Sequence, residues 1–292
     1  MNYFRDKVAV ITGAASGIGQ GIVERCAAEG MKIVLADVEK SALSKTEKAL
    51  KAKGAKVLSV LTDVSKANDV ETLAKKTVDK FGQVDLLVNN AGVVAGNTIW
   101  ESTSSDWEWV MGVNLWGVIY GLRSFVPIML KQNTESYIVN NASATGLVSY
   151  GLSAPYQVTK HAVVALSENL YYSLKQQKAN INVSVLCTGW VKTRVLNSGR
   201  NRPSRLKDTP KKKTAGQENI SRYVKKMRQA IQEGMSPHEV ADHVFKAIED
   251  KQLYILTHPS ETTPLVKQRM ENLLHGRNPS ELDIEDFLFL SN

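Results

Sequence analysis

Lys7-Val-Ala-Val-Ile-Thr12 runs directly into Gly13-Ala-Ala-Ser16-Gly17-Ile18-Gly19, and the reading of these thirteen residues decides the fold. The first six form a short β-branched run, the next seven a glycine-rich turn, and from 20 to 28 the apolar residues take helical spacing. A strand, a glycine turn and a helix start make an anion site, because backbone N–H groups and the positive end of the helix dipole face one spot. The spacing is G-x-x-x-G-x-G rather than G-x-G-x-x-G. Three glycines in a turn are a weak signal by themselves. The elements around them make it stronger.

Residues 32–36 form a second buried-looking strand with Asp37 at its end, eighteen residues after Gly19. A carboxylate there accepts hydrogen bonds from adenosine ribose hydroxyls and repels a 2′-phosphate, so the expected cofactor is NAD(H) rather than NADP(H). The competing reading has Asp37 start the turn before a helix at 40–51, with Lys40 within reach of a phosphate. Alternation continues with a strand at 56–62, Asp63-Val64, a helix at 70–81 and a strand at 84–88 closed by Asn89-Asn90-Ala91-Gly92. Strands and helices at this interval predict βαβ units: an α/β fold with a doubly wound parallel sheet of about seven strands, helices on both faces, and one domain over 1–292. Asp63 and Asn90 fall at carboxyl ends of strands, where such sheets bind ligands. Both residue types also favour turns on their own account.

In the second half, Tyr156 and Lys160 are four apart, so on a helix they share a face. A cation beside a phenol favours its ionised form and moves it toward working pH. A helix is expected over 106–131, holding Asn114, a mediocre helix former. A fifth strand at 137–141 precedes Ser143, a loop spans 150–156, and a helix runs over 157–174. A sixth strand at 182–186 leads into Thr188-Gly189-Trp190-Val191-Lys192-Thr193. Ser236 and Pro237 read as N-cap and N1 of a helix over 237–250, and a short strand follows at 254–256. Four of the five tryptophans, Trp100, Trp107, Trp109 and Trp116, cluster together and read mostly as packing or a subunit contact.

Composition narrows the class. The chain has 292 residues, 43% hydrophobic and 23% charged, which is ordinary globular usage. Two cysteines, Cys26 and Cys187, make neither a disulfide framework nor a metal site, and no histidine spacing suggests metal ligands. They suit a reducing cytosol, and a cytoplasmic location is expected. No apolar signal region opens the chain, and no apolar run reads as a membrane span. The net charge of +8 belongs to one segment: residues 194–236 carry a local +9 and the remainder −1. Nothing in that pattern suggests a nucleic-acid-binding fold.

Together, Thr12-Gly-x-x-x-Gly-x-Gly19, Asn89-Asn-Ala-Gly92, Asn114, Ser143, Tyr156-x-x-x-Lys160 and Gly189-x-Val-x-Thr193 resemble the short-chain dehydrogenase/reductase family, in motif order over residues 6–193. Thr188 departs from the pattern, since the family usually has Pro before that Gly. The resemblance implies hydride transfer between nicotinamide and a secondary alcohol or ketone. Tyr156 would exchange the proton, Lys160 would lower its pKa and hold the nicotinamide ribose, Ser143 would hold the substrate oxygen, and Asn114 would anchor a water. Gly13, Ser16, Gly17, Ile18, Gly19, Asp37, Asp63, Val64, Asn90, Ala91, Gly92, Gly189, Val191 and Thr193 would line the cofactor site. It also implies a small-molecule substrate, a homodimer or homotetramer, and a substrate lid over 194–236. The basic lid reads either as an attractor of anions or as a solvated loop. Residues 280–292 read as a tail that covers a neighbouring subunit or frays. An epimerase or dehydratase on the same scaffold and a non-catalytic NAD(H) sensor are the alternatives; the first-glycine spacing weighs against the one, the Ser143–Tyr156–Lys160 set against the other.

Overall fold

Strand β1 (Val8–Thr12) is buried at all five positions, which suits only a strand covered on both faces. In the computed structural model, which describes residues 3–207 and 217–279, it lies near the centre of a seven-stranded sheet. The other strands are β2 (Lys32–Asp37), β3 (Val57–Leu61), β4 (Leu86–Asn89), β5 (Ser136–Asn141), β6 (Ile181–Cys187) and β7 (Tyr254–Leu256). Their order is β3-β2-β1-β4-β5-β6-β7, and every pairing is parallel. The order reverses between β1 and β4, and the crevice beyond their carboxyl ends is where such sheets take ligands.

Alternation along β1 divides the core. Ala9 and Ile11 face a layer holding α1 (Gly17–Ala28), α2 (Lys40–Ala52) and α8 (Pro237–Glu249). Val8 and Val10 face α3 (Ala67–Phe81), α5 (Gly117–Gln132) and α6 (Ala154–Gln176). Helix α3 stops at Gly82 in a left-handed cap, and α8 opens with the expected Ser236 cap closed reciprocally by Glu239.

Three differences from the sequence reading bear on the site. The helix expected over 106–131 is α4 (Ser104–Met111), a π turn (Gly112–Trp116) and α5 in continuous succession. The π turn carries Asn114, whose Oδ1 accepts the Val93 N–H at 2.8 Å while its Nδ2 donates to the Val93 carbonyl at 2.9 Å. That side chain reaches out to the loop after β4, and the helix widens at the position that makes the bond. Helix α6 begins at Ala154 with Pro155 in its first turn, so Tyr156 belongs to the helix and not to the preceding loop. Two further helices, α7 (Gln217–Glu233) and α9 (Pro259–Leu274), have no counterpart in the sequence reading. By length and composition the run Ser104–Gln132 is apolar enough to cross a membrane; here Val118, Phe125 and Met129 on its buried face pack into the core beneath the sheet. Lys211–Lys213 of the basic segment and the tail at 280–292 lie outside the described residues.

Candidate active site

The floor of the crevice is knitted by Thr12 at the end of β1. Its Oγ1 accepts the N–H groups of Asn90 (2.9 Å) and Ala91 (3.1 Å) and donates to the Val88 carbonyl. Asn90 returns the contact, donating Nδ2 to the Thr12 carbonyl at 2.8 Å. Gly13 follows in the left-handed region (φ 63°), and a Cβ there would stand 2.9 Å from Asn90 Nδ2. At Gly19 a Cβ would meet the Gly13 carbonyl oxygen at 2.1 Å, so the first turn of α1 packs onto the glycine turn with no room for a side chain. Gly17 and Ile18 line the crevice, and no side chain caps the N-terminus of α1. This cradle fits a dinucleotide pyrophosphate: bare backbone, a helix N-terminus and no competing side chain.

Asp37 closes β2 with both carboxylate oxygens engaged, Oδ2 accepting the Ala15 N–H at 3.0 Å and Oδ1 the Glu39 N–H at 2.9 Å. Its orientation is therefore fixed at the crevice wall. Asp63 also lines the crevice, but its Oδ1 accepts both the N–H and the hydroxyl of Ser65. It makes the turn after β3, as the bland reading of an Asp at a strand end expects. Val64, Ala91 and Gly92 complete that side.

Ser143 after β5, and Tyr156 and Lys160 on α6, meet at the other end of the crevice. Ser143 Oγ accepts the Thr145 N–H at 3.3 Å and donates to the Thr188 carbonyl at 3.4 Å. The contact uses the main chain of Thr188, which survives the departure from Pro at that position. Lys160 Nζ donates to the Asn141 carbonyl at 2.8 Å and lies 5.4 Å from the centre of the Tyr156 ring. Burial pushes the Lys160 ammonium down to about 8. Burial also raises the Tyr156 phenol, with the hydrogen bond from Ser143 opposing. The sequence reading has the neighbouring cation lower the phenol; desolvation is the larger effect on both groups. Asn114 is fully buried behind them and also donates to Thr159 Oγ1 at 3.3 Å. On the β6 side, Gly189 donates its N–H to Thr257 Oγ1, Val191 bridges to Met235, and the Thr193 methyl meets Gly17. Ser16, Gly189, Val191 and Thr193 all border the same crevice.

The sequence reading missed several residues here. Asn141 Nδ2 donates to Asn90 Oδ1 at 2.9 Å, so Lys160, Asn141, Asn90 and Thr12 form one hydrogen-bonded chain across three strand ends. Beneath it Asn89 donates to Asn140, and Asn140 to Ser167. The signal was available: two Asn-Asn pairs end strands that pair in register, Asn89 opposite Asn140. Trp109, read as packing, is buried and lines the crevice. Met227 and Ile231 of α7 also line it.

Three arginines of the basic segment are paired with carboxylates, while Arg194, Lys207, Lys225 and Arg228 are exposed. Arg200 donates Nε and Nη2 to Glu39 at 2.9 and 2.6 Å, Arg202 pairs with Asp106 at 2.6 Å, and Arg205 pairs with Glu108. Ser198 adds a donor and an acceptor to the Val94 backbone. Among the described residues no cluster of His, Cys, Asp and Glu could hold a metal ion. Cys187 and Cys26 are buried free thiols.

Comparison with known proteins bears on this geometry. Residues 7–203 match the family profile described as short chain dehydrogenase. A crystal structure of a short chain dehydrogenase/reductase from Burkholderia phymatum, in complex with NAD, superposes with a TM-score of 0.92 at 43% identity, over 97% of this chain and 99% of that one. The CLA biosynthesis dehydrogenase/reductase of Lactiplantibacillus plantarum is 38% identical over 96% of this chain and 97% of its own. The C alpha-dehydrogenase of a Sphingobium species is 32% identical over 98% and 91%. With its strand order, its glycine cradle and near full-length similarity, this chain belongs to the short-chain dehydrogenase/reductase family of oxidoreductases.

Proposed function

We propose that the protein is an NAD(H)-dependent oxidoreductase that interconverts a secondary alcohol and a ketone, with Tyr156 as the acid–base residue. The observation that carries this reading is the meeting of Ser143, Tyr156 and Lys160, from the end of β5 and two turns of α6, at one end of a crevice whose other end is the glycine cradle. The cofactor, when bound, supplies the hydride acceptor or donor at its nicotinamide ring.

Gly13, Ser16, Gly17, Ile18 and Gly19 hold the pyrophosphate. Asp37, Asp63, Val64, Asn90, Ala91 and Gly92 line the adenosine half, and Gly189, Val191 and Thr193 the nicotinamide half. Asp37 selects NAD(H) over NADP(H), because a 2′-phosphate beside a carboxylate with fixed orientation is repelled; the NAD complex of the Burkholderia phymatum protein supports this choice. Ser143 orients the substrate oxygen toward Tyr156. In the oxidative direction the Tyr156 phenolate takes the hydroxyl proton as the carbinol hydrogen leaves as hydride, and in the reductive direction the phenol returns that proton. Lys160, held by the Asn141 carbonyl, keeps a positive charge within reach of the phenolate, which offsets the desolvation that raises it. Asn114 fixes the Val93 backbone beside this group. Tyr156→Phe is expected to abolish turnover in a cofactor-absorbance assay while NADH binding, read by fluorescence, stays within about threefold of the parent; substantial surviving activity refutes the assignment.

A further inference from the structure

Apart from Arg194, the charged residues that line the crevice are held in hydrogen bonds or ion pairs. Asp37, Glu39 and Asp63 sit at the ends of β2 and β3. Arg200 is bonded to Glu39, and Lys160 to the Asn141 carbonyl. Arg194 is exposed on the α1 side of the mouth, next to Gly17 and Thr193. Two lid arginines are held by carboxylates of α4: Arg202 pairs with buried Asp106 while its guanidinium lies 5.5 Å from the centre of the Trp109 ring, and Arg205 pairs with Glu108 at the surface. Those pairs fasten this part of the lid to the helix.

Beside Ser143 and Tyr156 the lining includes Thr145, Ser153 and Thr188, and its apolar side chains come from two separate clusters. Val93, Trp109 and Val113 belong to one, against which Tyr156 itself packs. Trp190 and Met227 belong to the other, with Ile231 beside them on α7. A wall of this composition recognises shape and apolar area, and the cations beside it, Lys160 and Arg202, are already bonded to the Asn141 carbonyl and to Asp106.

Resting on the redox reading above, we infer that the substrate is an uncharged secondary alcohol or ketone with an apolar group on each side of the carbinol carbon, one against the Trp109 wall and one against the Trp190–Met227 wall. A carboxylate or phosphate attached directly to that carbon is rejected, because it would be desolvated among these side chains without a counter-charge. The lid is basic in sequence, yet Arg200, Arg202 and Arg205 are paired with carboxylates of the body.

A matched pair of probes tests this. 1-Phenyl-2-butanone and phenylpyruvate share the benzyl ketone and differ in an ethyl group against a carboxylate. Two readouts are needed on the full chain: kcat/KM by NADH absorbance, and binding to the enzyme–NADH complex by change in NADH fluorescence. The neutral ketone is expected to lead in both, by at least about 100-fold in kcat/KM. Met227→Lys, which sets a cation on one wall, is expected to narrow that ratio by at least about tenfold. Equal or better use of phenylpyruvate by the parent overturns the inference, as does failure of the neutral ketone to bind. Binding of the neutral ketone without turnover sustains the pocket assignment and refutes the redox reading instead.

Discussion

Thr12→Val removes one oxygen and leaves the side-chain shape almost unchanged, so its effect isolates the hydrogen bonds beneath the cradle. In the parent, Thr12 Oγ1 accepts from Asn90 N and Ala91 N and donates to the Val88 carbonyl. The valine leaves both N–H groups without an acceptor. A buried, unsatisfied donor costs about 1–3 kcal/mol. Asn90 is buried and pays near the middle of that range, whereas Ala91 borders the crevice and is partly reached by water. The sum is about 2–4 kcal/mol. The assay is urea unfolding followed by both circular dichroism and tryptophan fluorescence, with coincident transitions required before a free energy is assigned. Thr12→Ser is the control, because it keeps the oxygen and loses only a methyl group, at about 1 kcal/mol. The same valine variant is expected to bind NADH more weakly, since the Asn90–Gly92 turn loses its anchor. A Thr12→Val protein no less stable than Thr12→Ser refutes the reasoning, for it means that these N–H groups find other acceptors.

Other expectations follow from individual residues. Asp37→Asn, which keeps the side-chain size and an acceptor oxygen, is expected to reduce the preference for NAD(H) over NADP(H) in kcat/KM by about 30-fold, or about 2 kcal/mol of relieved repulsion; an unchanged ratio assigns the selection to other residues. Lys160 is charged at neutral pH although burial lowers its pKa from 10.5 to about 8, so the folded state bears a desolvation cost below about pH 8. That cost is relieved as pH rises through the window between about 8 and 10.5, where the unfolded chain binds more protons than the folded one. Lys160→Met is therefore expected to be inactive yet more stable at pH 7, by about 2 kcal/mol after deducting the lost bond to Asn141, with the gain shrinking toward pH 10. A gain that does not shrink across that window places the cost elsewhere. Cys26 and Cys187 are buried with their thiols pushed up to about 12; neither is expected to react with a thiol reagent at pH 8 until the protein is unfolded, and fast labelling of the native chain refutes that picture.

Much of the architecture was legible because it depends on local periodicity. β-Branched runs separated by amphipathic helices fix the βαβ alternation, and the strand at 254–256 and the capped start of α8 fall where expected. Tyr156 and Lys160 share a helix face because the spacing of four residues requires it. The hydrogen-bond chain through Asn141 was less legible, since it joins strand ends about fifty residues apart in sequence. Helix α7 follows a polar stretch with little apolar content, and nothing in that stretch announces it.

The order of residues by itself determined the parallel sheet, the glycine cradle and the shared helix face of Tyr156 and Lys160, because each depends on side-chain type at short spacing. Only the tertiary structure decided where Arg200, Arg202 and Arg205 of the basic segment pair. Charge counted along 194–236 could not distinguish an anion attractor from a set of fasteners, since that depends on where Glu39, Asp106 and Glu108 come to lie. The direction in which the Tyr156 and Lys160 pKa values move was likewise set in three dimensions. Spacing places a lysine beside a tyrosine, but burial acts on both groups, and desolvation depends on everything packed around them.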